Sequence, residues 1–206
     1  GDNRAVRQAL RRVPFTQREV IDRHIDEQLR QGIIVPGQSE FAANLVIVKK
    51  RDGSTRCCVD YRSLNLITKR DCYPLPRIDQ CLDALGNNNC WFTVCDLRSG
   101  YYQVALAPQD RDKTAFVSHR GLHRYNVLPM GLSNAPSTFQ RLMDMVMSGL
   151  LFETCLVYLD DIIIFSRTLG EHLQRLEEVL QRLVATGLKL KPSKCRLLQT
   201  RVEFLG

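Results

Sequence analysis

Residues 155–165 read Cys-Leu-Val-Tyr-Leu-Asp-Asp-Ile-Ile-Ile-Phe, so two adjacent aspartates interrupt the most apolar part of the chain. The apolar runs on either side, residues 155–158 and 162–165, have the length and composition of buried strands. Asp160 and Asp161 are therefore predicted at or beside a tight hairpin turn. Because burial of an unpaired carboxylate is costly, the pair indicates a bound cation, with an ordinary turn-capping role as the alternative.

A further carboxylate, Asp96, lies near the end of the β-rich apolar run at residues 91–97. Three acids offer the oxygen ligands that Mg²⁺ prefers. Two such ions about 4 Å apart can activate an attacking 3′-hydroxyl and stabilise a pyrophosphate leaving group. This expectation requires Asp96 to meet Asp160 and Asp161 in the folded chain.

Helices are predicted where apolar residues recur at three- or four-residue spacing. Capping boxes are predicted at Thr16 with Glu19 and at Thr168 with Glu171, and Asn134 is predicted to cap a further helix. The stripes expected to face a core are Ile21, Ile25 and Leu29; Ile78, Leu82 and Leu85; Phe139, Leu142, Met143 and Val146; and Leu169, Leu173, Leu176, Leu180 and Leu183.

Further strands are predicted in pairs. Residues 45–50 and 55–60 flank Asp52-Gly53, which is typical of a hairpin turn, and the tip of this hairpin is basic. Residues 114–118 and 123–127 are joined through Gly121. Strands and helices in this alternation predict an α+β (mixed α/β) fold in which helices cover a sheet.

The charge, the apolar runs and the cysteines of the chain limit the classes of protein to which it can belong. The 206 residues include 29 Lys and Arg against 22 Asp and Glu, a net charge of +7 that suits a nucleic-acid partner, with a solvated basic surface as the alternative. No run of about 18 apolar residues occurs, so no membrane segment is expected. The first four residues do not resemble a secretion signal, and the eight cysteines are expected to be free thiols.

The string Tyr158-Leu159-Asp160-Asp161 resembles the Tyr-x-Asp-Asp box of reverse transcriptases. Other segments follow in the order found in the Ty3/gypsy family of long-terminal-repeat retrotransposons, and the resemblance runs from about Arg12 to Gly206. These segments are Val48-Lys49-Lys50-Arg51-Asp52-Gly53, Arg56-Cys57-Cys58-Val59-Asp60-Tyr61-Arg62-Ser63-Leu64-Asn65, Tyr73-Pro74-Leu75-Pro76-Arg77-Ile78, Asp96-Leu97-Arg98-Ser99-Gly100-Tyr101, Lys113-Thr114-Ala115-Phe116 and Leu128-Pro129-Met130-Gly131-Leu132-Ser133-Asn134-Ala135-Pro136.

The resemblance implies the fingers and palm of a right-hand polymerase, with an antiparallel palm sheet covered by helices. Residues 12–90 and 110–127 would be mostly fingers, and residues 91–109 and 128–206 mostly palm. The chain is expected to stop where the thumb begins. It would be a fragment of a pol polyprotein that continues into thumb, connection and RNase H.

The implied activity is that of an RNA-directed DNA polymerase, a nucleotidyltransferase that can also copy DNA. Asp96, Asp160 and Asp161 would be the catalytic residues and would hold two Mg²⁺ ions, for which Mn²⁺ could substitute. The expected partners are an RNA or DNA template with its primer and dNTPs, and no membrane; the oligomeric state is open. The implied location is intracellular, in the cytoplasm or in virus-like particles.

The resemblance also assigns binding residues. In the nucleotide site, Lys50 and Arg56 would neutralise the triphosphate, and Tyr101 would be a steric gate against a 2′-hydroxyl. Ser99, Gly100 and Met130 would complete that pocket. The residues implied to lie along the primer or template are Tyr61, Arg62, Asn65, Gly131, Tyr158, Leu159, Phe204, Leu205 and Gly206.

Two alternatives are weighed against this enzyme. The first is a degenerate or domesticated remnant that binds nucleic acid without catalysis, which loss of any of the three aspartates would favour. The second is a two-metal nuclease, which has no use for a steric-gate tyrosine and a triphosphate-binding hairpin. All three aspartates are present.

Overall fold

The computed structural model describes residues 5–49, 53, 55–86 and 88–203. The chain divides into two compact units, each built from two separate stretches of sequence. The first unit comprises residues 1–70 and 104–135, and the second comprises residues 71–103 and 136–206. Each unit contains a sheet and helices, which confirms the predicted α+β class.

The elements have the following bounds. The α-helices are α1 (Phe15–Arg30), α2 (Arg62–Ile67), α3 (Ile78–Gly86), α4 (Pro108–Arg111), α5 (Ala135–Val146) and α6 (Leu169–Thr186). The strands are β1 (Ile34–Pro36), β2 (Ala43–Lys49), β3 (Thr55–Val59), β4 (Trp91–Asp96), β5 (Phe116–Ser118), β6 (Gly121–Tyr125), β7 (Cys155–Tyr158), β8 (Asp161–Ser166) and β9 (Arg196–Gln199). Short 3₁₀ helices cover Gly100–Gln103, Asp112–Thr114 and Pro192–Lys194.

The first unit holds a sheet with the strand order β1-β6-β5-β2-β3, in which only the β2–β5 pair is parallel among the described strands. The predicted hairpin of β2 and β3 is confirmed, with Val48 opposite Arg56. Its turn lies outside the described residues except for Gly53, whose φ is 81°. Ile21 and Ile25 of α1 are buried, as their spacing predicts.

The second unit holds an antiparallel sheet with the order β7-β8-β4-β9. Its interior strand β8 is buried on both faces because helices cover both. On one face, Ile163 and Phe165 pack with Cys81 of α3. On the other, Ser166 contacts His172 of α6. The apolar run that surrounds the paired aspartates in the sequence is therefore the centre of this unit.

The two predicted capping boxes have different outcomes. At α6, the Thr168 hydroxyl accepts a hydrogen bond from the backbone N–H of Glu171, so this cap is confirmed. At α1 the prediction is wrong. The helix begins at Phe15 behind Pro14, and no side chain in the described residues caps it. Thr16 lies inside the first turn, two residues after the N-cap position that Pro14 occupies.

The leucine stripe predicted for α6 is also wrong in large part. The buried residues of this helix are His172, Val179 and Leu183, whereas Leu173 is 49% exposed and Leu180 37% exposed. The helix is rotated about its axis so that the polar ring of His172, rather than the leucine row, meets the sheet. In α3 the prediction is confirmed at Leu85, which packs against the buried cluster that contains Cys81, and is wrong at Ile78 and Leu82, which are about half exposed. The stripe of α5 is confirmed at Phe139, Met143 and Val146.

His172 links α6 to two strands. Its Nε2 lies 2.8 Å from the hydroxyl of Thr93 on β4, and its Nδ1 lies 3.0 Å from the hydroxyl of Ser166 on β8. The Thr93 hydroxyl also accepts a hydrogen bond of 3.1 Å from the N–H of Leu198 on β9. Burial first, and the nearby Arg175 charge second, lower the pKa of His172. The neutral ring is therefore the form that the fold accommodates.

Two expectations about the whole chain can also be compared with the structure. No helix within the described ranges is both long enough and apolar enough to cross a membrane. All eight cysteines lie in described stretches and are free thiols, as expected. Cys81, Cys95 and Cys155 are buried.

The two threonines provide a matched test of capping. Replacement of Thr168 with Ala removes the cap of α6 and should lower the free energy of unfolding by about 1 kcal/mol. Thr16→Ala makes the same chemical change at a position without a capping bond and should be close to neutral. Urea denaturation of both variants measures the difference. An equal loss for the two would contradict the observed start of α1.

His172 should make stability depend on pH. Because its pKa is below 6.5 in the fold, the unfolded chain binds a proton at pH values where the folded chain does not. The contribution of the neutral ring is fully present above about pH 6.5 and is lost as pH falls through the lower, folded-state pKa. Denaturation curves from about pH 8 to about pH 5 should show this loss, and it should shrink in His172→Gln. An identical pH profile in the variant would disprove the role of His172.

Candidate active site

The antiparallel pairing of β4 with β8 brings together acids that are far apart in the sequence. In its register Asp96 is the Cα partner of Asp161. Tyr158 pairs with Asp161 across the β7–β8 hairpin, so Leu159 and Asp160 form a two-residue turn. The N–H of Leu97 donates a hydrogen bond of 3.3 Å to the carbonyl of Asp160. The three carboxylates predicted to act together thus lie at one end of the sheet of the second unit.

Burial and the repulsion of neighbouring acids make Asp160 and Asp161 harder to ionise. The pKa of Asp160 is raised by burial first and then by the charges of Asp161 and Asp96, while Lys194 opposes the shift. Burial and then Asp96 raise the pKa of Asp161, again against Lys194. Oδ1 of Asp160 is buried and has no hydrogen-bond partner in the part of the chain that is described. A positive charge at this position would satisfy that oxygen and stabilise all three anions.

Lys194 supplies one such charge. Its Nζ lies 3.0 Å from Oδ2 of Asp96, whose side chain is 19% exposed. No three His, Cys, Asp or Glu side chains within the described ranges are arranged to hold a metal ion, and in this arrangement Asp96 is turned to the lysine. The chemistry of the donor set, three carboxylates with one unsatisfied oxygen, nevertheless fits a hard divalent cation. Nothing in the sequence analysis singled out Lys194.

The residues that follow Asp96 pack against the same carboxylates. Ser99 has a left-handed backbone with φ 50°, and the 3₁₀ helix at Gly100–Gln103 follows it. A Cβ atom on Gly100 would lie 2.8 Å from Cζ of Phe139 and 3.0 Å from Oδ1 of Asp160. This close approach explains the need for glycine beside the carboxylate.

Tyr101 adjoins the acids as well. Its ring meets the ring of Phe139 edge to face, with 5.1 Å between centroids. Burial first, and the charge of Asp160 second, raise the pKa of Tyr101 to about 12. The half-buried ring therefore lies close enough to Asp160 to feel its charge. We call the turn of Leu159 and Asp160 the aspartate turn.

The turn itself is held from α5. Leu159 has a left-handed φ of 53°, which is unusual for a residue with a branched side chain. Its N–H donates a hydrogen bond of 3.0 Å to Oε1 of Gln140, whose side chain is fully buried. Sequence reasoning missed Gln140, although a polar residue next to the apolar face of α5 was a visible signal.

Other predicted site residues belong to the first unit. Arg56 is exposed on β3, and Met130 is 47% exposed. Arg62 is exposed and forms a bidentate ion pair with Asp60. Tyr61, by contrast, is only 2% exposed, and its hydroxyl donates a hydrogen bond of 2.8 Å to the carbonyl of Thr114.

Asn65 has a structural task within the same unit. Its side-chain amide donates to the carbonyl of Gly131 at 2.9 Å, and its Oδ1 accepts from the N–H of Ser133 at 2.8 Å. Asn65 therefore fixes the loop of Met130 and Gly131, where Gly131 has φ 95°. Four predicted site residues, Lys50, Phe204, Leu205 and Gly206, lie outside the described residues.

Sequence comparison shows that the chain is similar to transposon polyproteins. The chain is 41% identical over 191 residues to the retrovirus-related Pol polyprotein from transposon 297 of Drosophila melanogaster, covering 90% of the chain and 18% of the polyprotein. It is 36% identical over 194 residues to the Pol polyprotein from transposon gypsy of the same fly, covering 91% and 19%. For the transposon Tf2-3 polyprotein of Schizosaccharomyces pombe the identity is 33% over 194 residues, covering 94% and 14%. The chain therefore spans less than a fifth of these relatives.

Solved structures agree with this result. The native protease-reverse transcriptase of prototype foamy virus matches with a TM-score of 0.87 at 27% identity, covering all of this chain and 27% of that one. The foamy viral enzyme in complex with an RNA/DNA hybrid matches with a TM-score of 0.88 at 26% identity, covering 99% and 27%. These matches confirm the polymerase fold that the sequence resemblance implies.

A family model described as reverse transcriptase (RNA-dependent DNA polymerase) matches residues 48–206. Together with the gypsy, 297 and Tf2 relatives, this match confirms the resemblance to Ty3/gypsy elements. The chain belongs to the reverse transcriptase family, as the reverse transcriptase domain of a retrotransposon Pol polyprotein.

Proposed function

We propose that the chain carries the polymerase site of an RNA-directed DNA polymerase that adds deoxynucleotides to a primer 3′-hydroxyl by two-metal catalysis. The observation that supports this most is the register that sets Asp96 opposite Asp161, with Asp160 in the adjoining turn. Membership of the family makes such chemistry the expected use of the three acids. The remnant alternative has no observation in its favour, since all three aspartates are present.

Asp96, Asp160 and Asp161 would hold two Mg²⁺ ions, with Mn²⁺ able to substitute. The buried, unsatisfied Oδ1 of Asp160 supports a cation at this position. When bound, such ions favour ionisation of the 3′-hydroxyl and neutralise the charge that develops on the leaving pyrophosphate. Lys194, which pairs with Asp96 in this structure, would give up that partner when the carboxylate takes a divalent ion.

Tyr101 would select deoxynucleotides. Its ring is half-buried against Phe139 beside Asp160, a position from which it could contact the sugar of a nucleotide at the acids. Ser99 and Gly100 would line the same pocket, and Gly100 leaves room next to the carboxylate. Lys50 and Arg56 would neutralise the triphosphate of the dNTP, and Met130 would complete the nucleotide site.

The remaining site residues would contact an RNA or DNA template and its primer. Foamy viral relatives have been solved with double-stranded DNA and with an RNA/DNA hybrid, and the net charge of +7 suits such a partner. In this proposal residues 12–90 and 110–127 are mostly fingers, and residues 91–109 and 128–206 mostly palm. The chain would act within a longer Pol polyprotein, as its relatives do.

The contacts to nucleic acid would differ in kind. Arg62 is free to bind a phosphate only by exchanging its Asp60 partner. Asn65 would act by holding the loop that carries Gly131, and Tyr61 by packing against it, since a Cβ atom on Gly131 would lie 3.6 Å from Cδ2 of Tyr61. Tyr158 and Leu159 would lie beside the primer terminus because Tyr158 pairs with Asp161 and Leu159 forms the turn with Asp160. Phe204, Leu205 and Gly206 would grip the primer strand.

Removal of one carboxylate tests the proposed chemistry. Asp160→Asn should lower templated dNTP incorporation by about 10²-fold or more. The variant lacks one of the carboxylates proposed to hold the cations that neutralise charge on the reacting phosphate. The assay measures Mg²⁺-dependent primer extension by the chain carried in its Pol polyprotein. Asp83→Asn, the same change on the exposed surface of α3, is the control and should be neutral. Full activity of Asp160→Asn would refute the polymerase proposal.

A second variant tests the steric gate. Tyr101→Ala should admit ribonucleotides, because exclusion of a 2′-hydroxyl by a ring depends on a clash and not on a hydrogen bond. Tyr101→Phe keeps the ring and its contact with Phe139, so it should retain the selectivity of the wild type. The measurement is the ratio of kcat/KM for dNTP to that for rNTP. An unchanged ratio in Tyr101→Ala would mean that another residue excludes the ribose.

A further inference from the structure

A single amide side chain binds both the end of β7 and the turn of Leu159 and Asp160 that follows it. Gln140 lies on α5 and is fully buried. Its Nε2 donates to the carbonyl of Val157 on β7 at 3.1 Å, and its Oε1 accepts from the N–H of Leu159 at 3.0 Å. The amide therefore holds the backbone on entry to the turn and inside it. Since Leu159 has a positive φ, this part of the turn requires support from outside itself.

The orientation of the Gln140 amide is set by a second residue of α5. Asp144 lies one helical turn further on, and its Oδ1 accepts a hydrogen bond of 2.9 Å from Nε2 of Gln140. The NH₂ group thus faces two acceptors, Asp144 and the carbonyl of Val157, which leaves Oε1 as the atom directed at the N–H of Leu159. A flipped amide would oppose donor to donor at Leu159.

Tyr73 in turn occupies the other oxygen of Asp144. Its hydroxyl donates a hydrogen bond of 2.5 Å to Oδ2. The guanidinium of Arg141 lies over the Tyr73 ring, 4.6 Å from its centroid, and binds Asp71 through two hydrogen bonds of 2.7 and 2.9 Å. The segment before α3 is therefore anchored on α5 at three points, because the Ser137 hydroxyl also donates a hydrogen bond of 3.5 Å to the carbonyl of Tyr73. Among these described contacts only the tyrosine hydroxyl leads to Gln140.

We propose that Tyr73 and Asp144 are positioning residues that act through Gln140 on the turn of Leu159 and Asp160, and so on the positions of Asp160 and Asp161. The residues form one continuous hydrogen-bonded chain from the Tyr73 hydroxyl to the N–H of Leu159, within the second unit. This series of hydrogen bonds fixes the positions of Asp160 and Asp161, and none of its members touches a reacting atom. Its effect on catalysis depends on the polymerase function proposed above, but its effect on the turn does not.

Tyr73→Phe tests this role because it removes the hydroxyl and keeps the ring under Arg141. Hydrogen exchange of the Leu159 amide, followed by NMR in the 206-residue chain, should become about 5-fold faster, the effect of weakening one hydrogen bond. In primer extension kcat should fall by a similar factor of about 5 while KM for dNTP changes less than about 2-fold. Asp71→Asn, which weakens the anchor at Arg141 and leaves the hydroxyl bond intact, is the matched control and should change neither quantity.

A double variant tests whether the effect passes through Gln140. In a Gln140→Leu background, Tyr73→Phe should add no further change in Leu159 exchange, because the connection is already broken. A further 5-fold change there, or unchanged Leu159 exchange in the single variant, would overturn the proposal. If wild-type protein shows no primer extension, the polymerase proposal fails alone, since exchange at Leu159 still tests the positioning role.

Discussion

Backbone pairing along the full length of β4 and β8, from Trp91 opposite Ser166 to Asp96 opposite Asp161, sets the positions of nearly everything else in the second unit. A slip of one residue would turn every β4 side chain to the opposite face of the sheet. Asp96 would then leave Asp161, and Thr93 would leave His172. His172 supports this register because it bridges a hydroxyl on each strand, Thr93 of β4 and Ser166 of β8.

The same pairing creates an electrostatic problem at the end of the sheet. Three carboxylates converge there, burial raises the pKa of Asp160 and Asp161, and Lys194 opposes that rise. Apolar or neutral side chains at these positions would give a more stable fold. The presence of three acids is understandable if the site binds a cationic ligand, because Lys194 alone does not balance their negative charge.

Sequence patterns predicted the features that depend on neighbouring residues. The hairpin at Asp160, the β2–β3 hairpin and the buried face of α5 follow from local apolar runs and turn residues, and the structure has them. Features that depend on tertiary packing were missed or wrong. Lys194 meets Asp96 only in the folded protein, and no sequence pattern singled out Gln140. On α6, His172 and Val179 are buried with Leu183, whereas Leu173 and Leu180 are exposed.

The interleaving of the two units along the sequence has a consequence for biosynthesis. The first unit is closed only when residues 104–135 have been made, and the second only when residues 136–206 follow. On the ribosome β4 would emerge well before β8, its partner in the sheet. At roughly 5–20 residues per second that wait lasts several seconds. During these seconds the edges of β4 have no native strand to pair with. The nascent chain is therefore exposed to aggregation and to chaperone binding at this stage of synthesis.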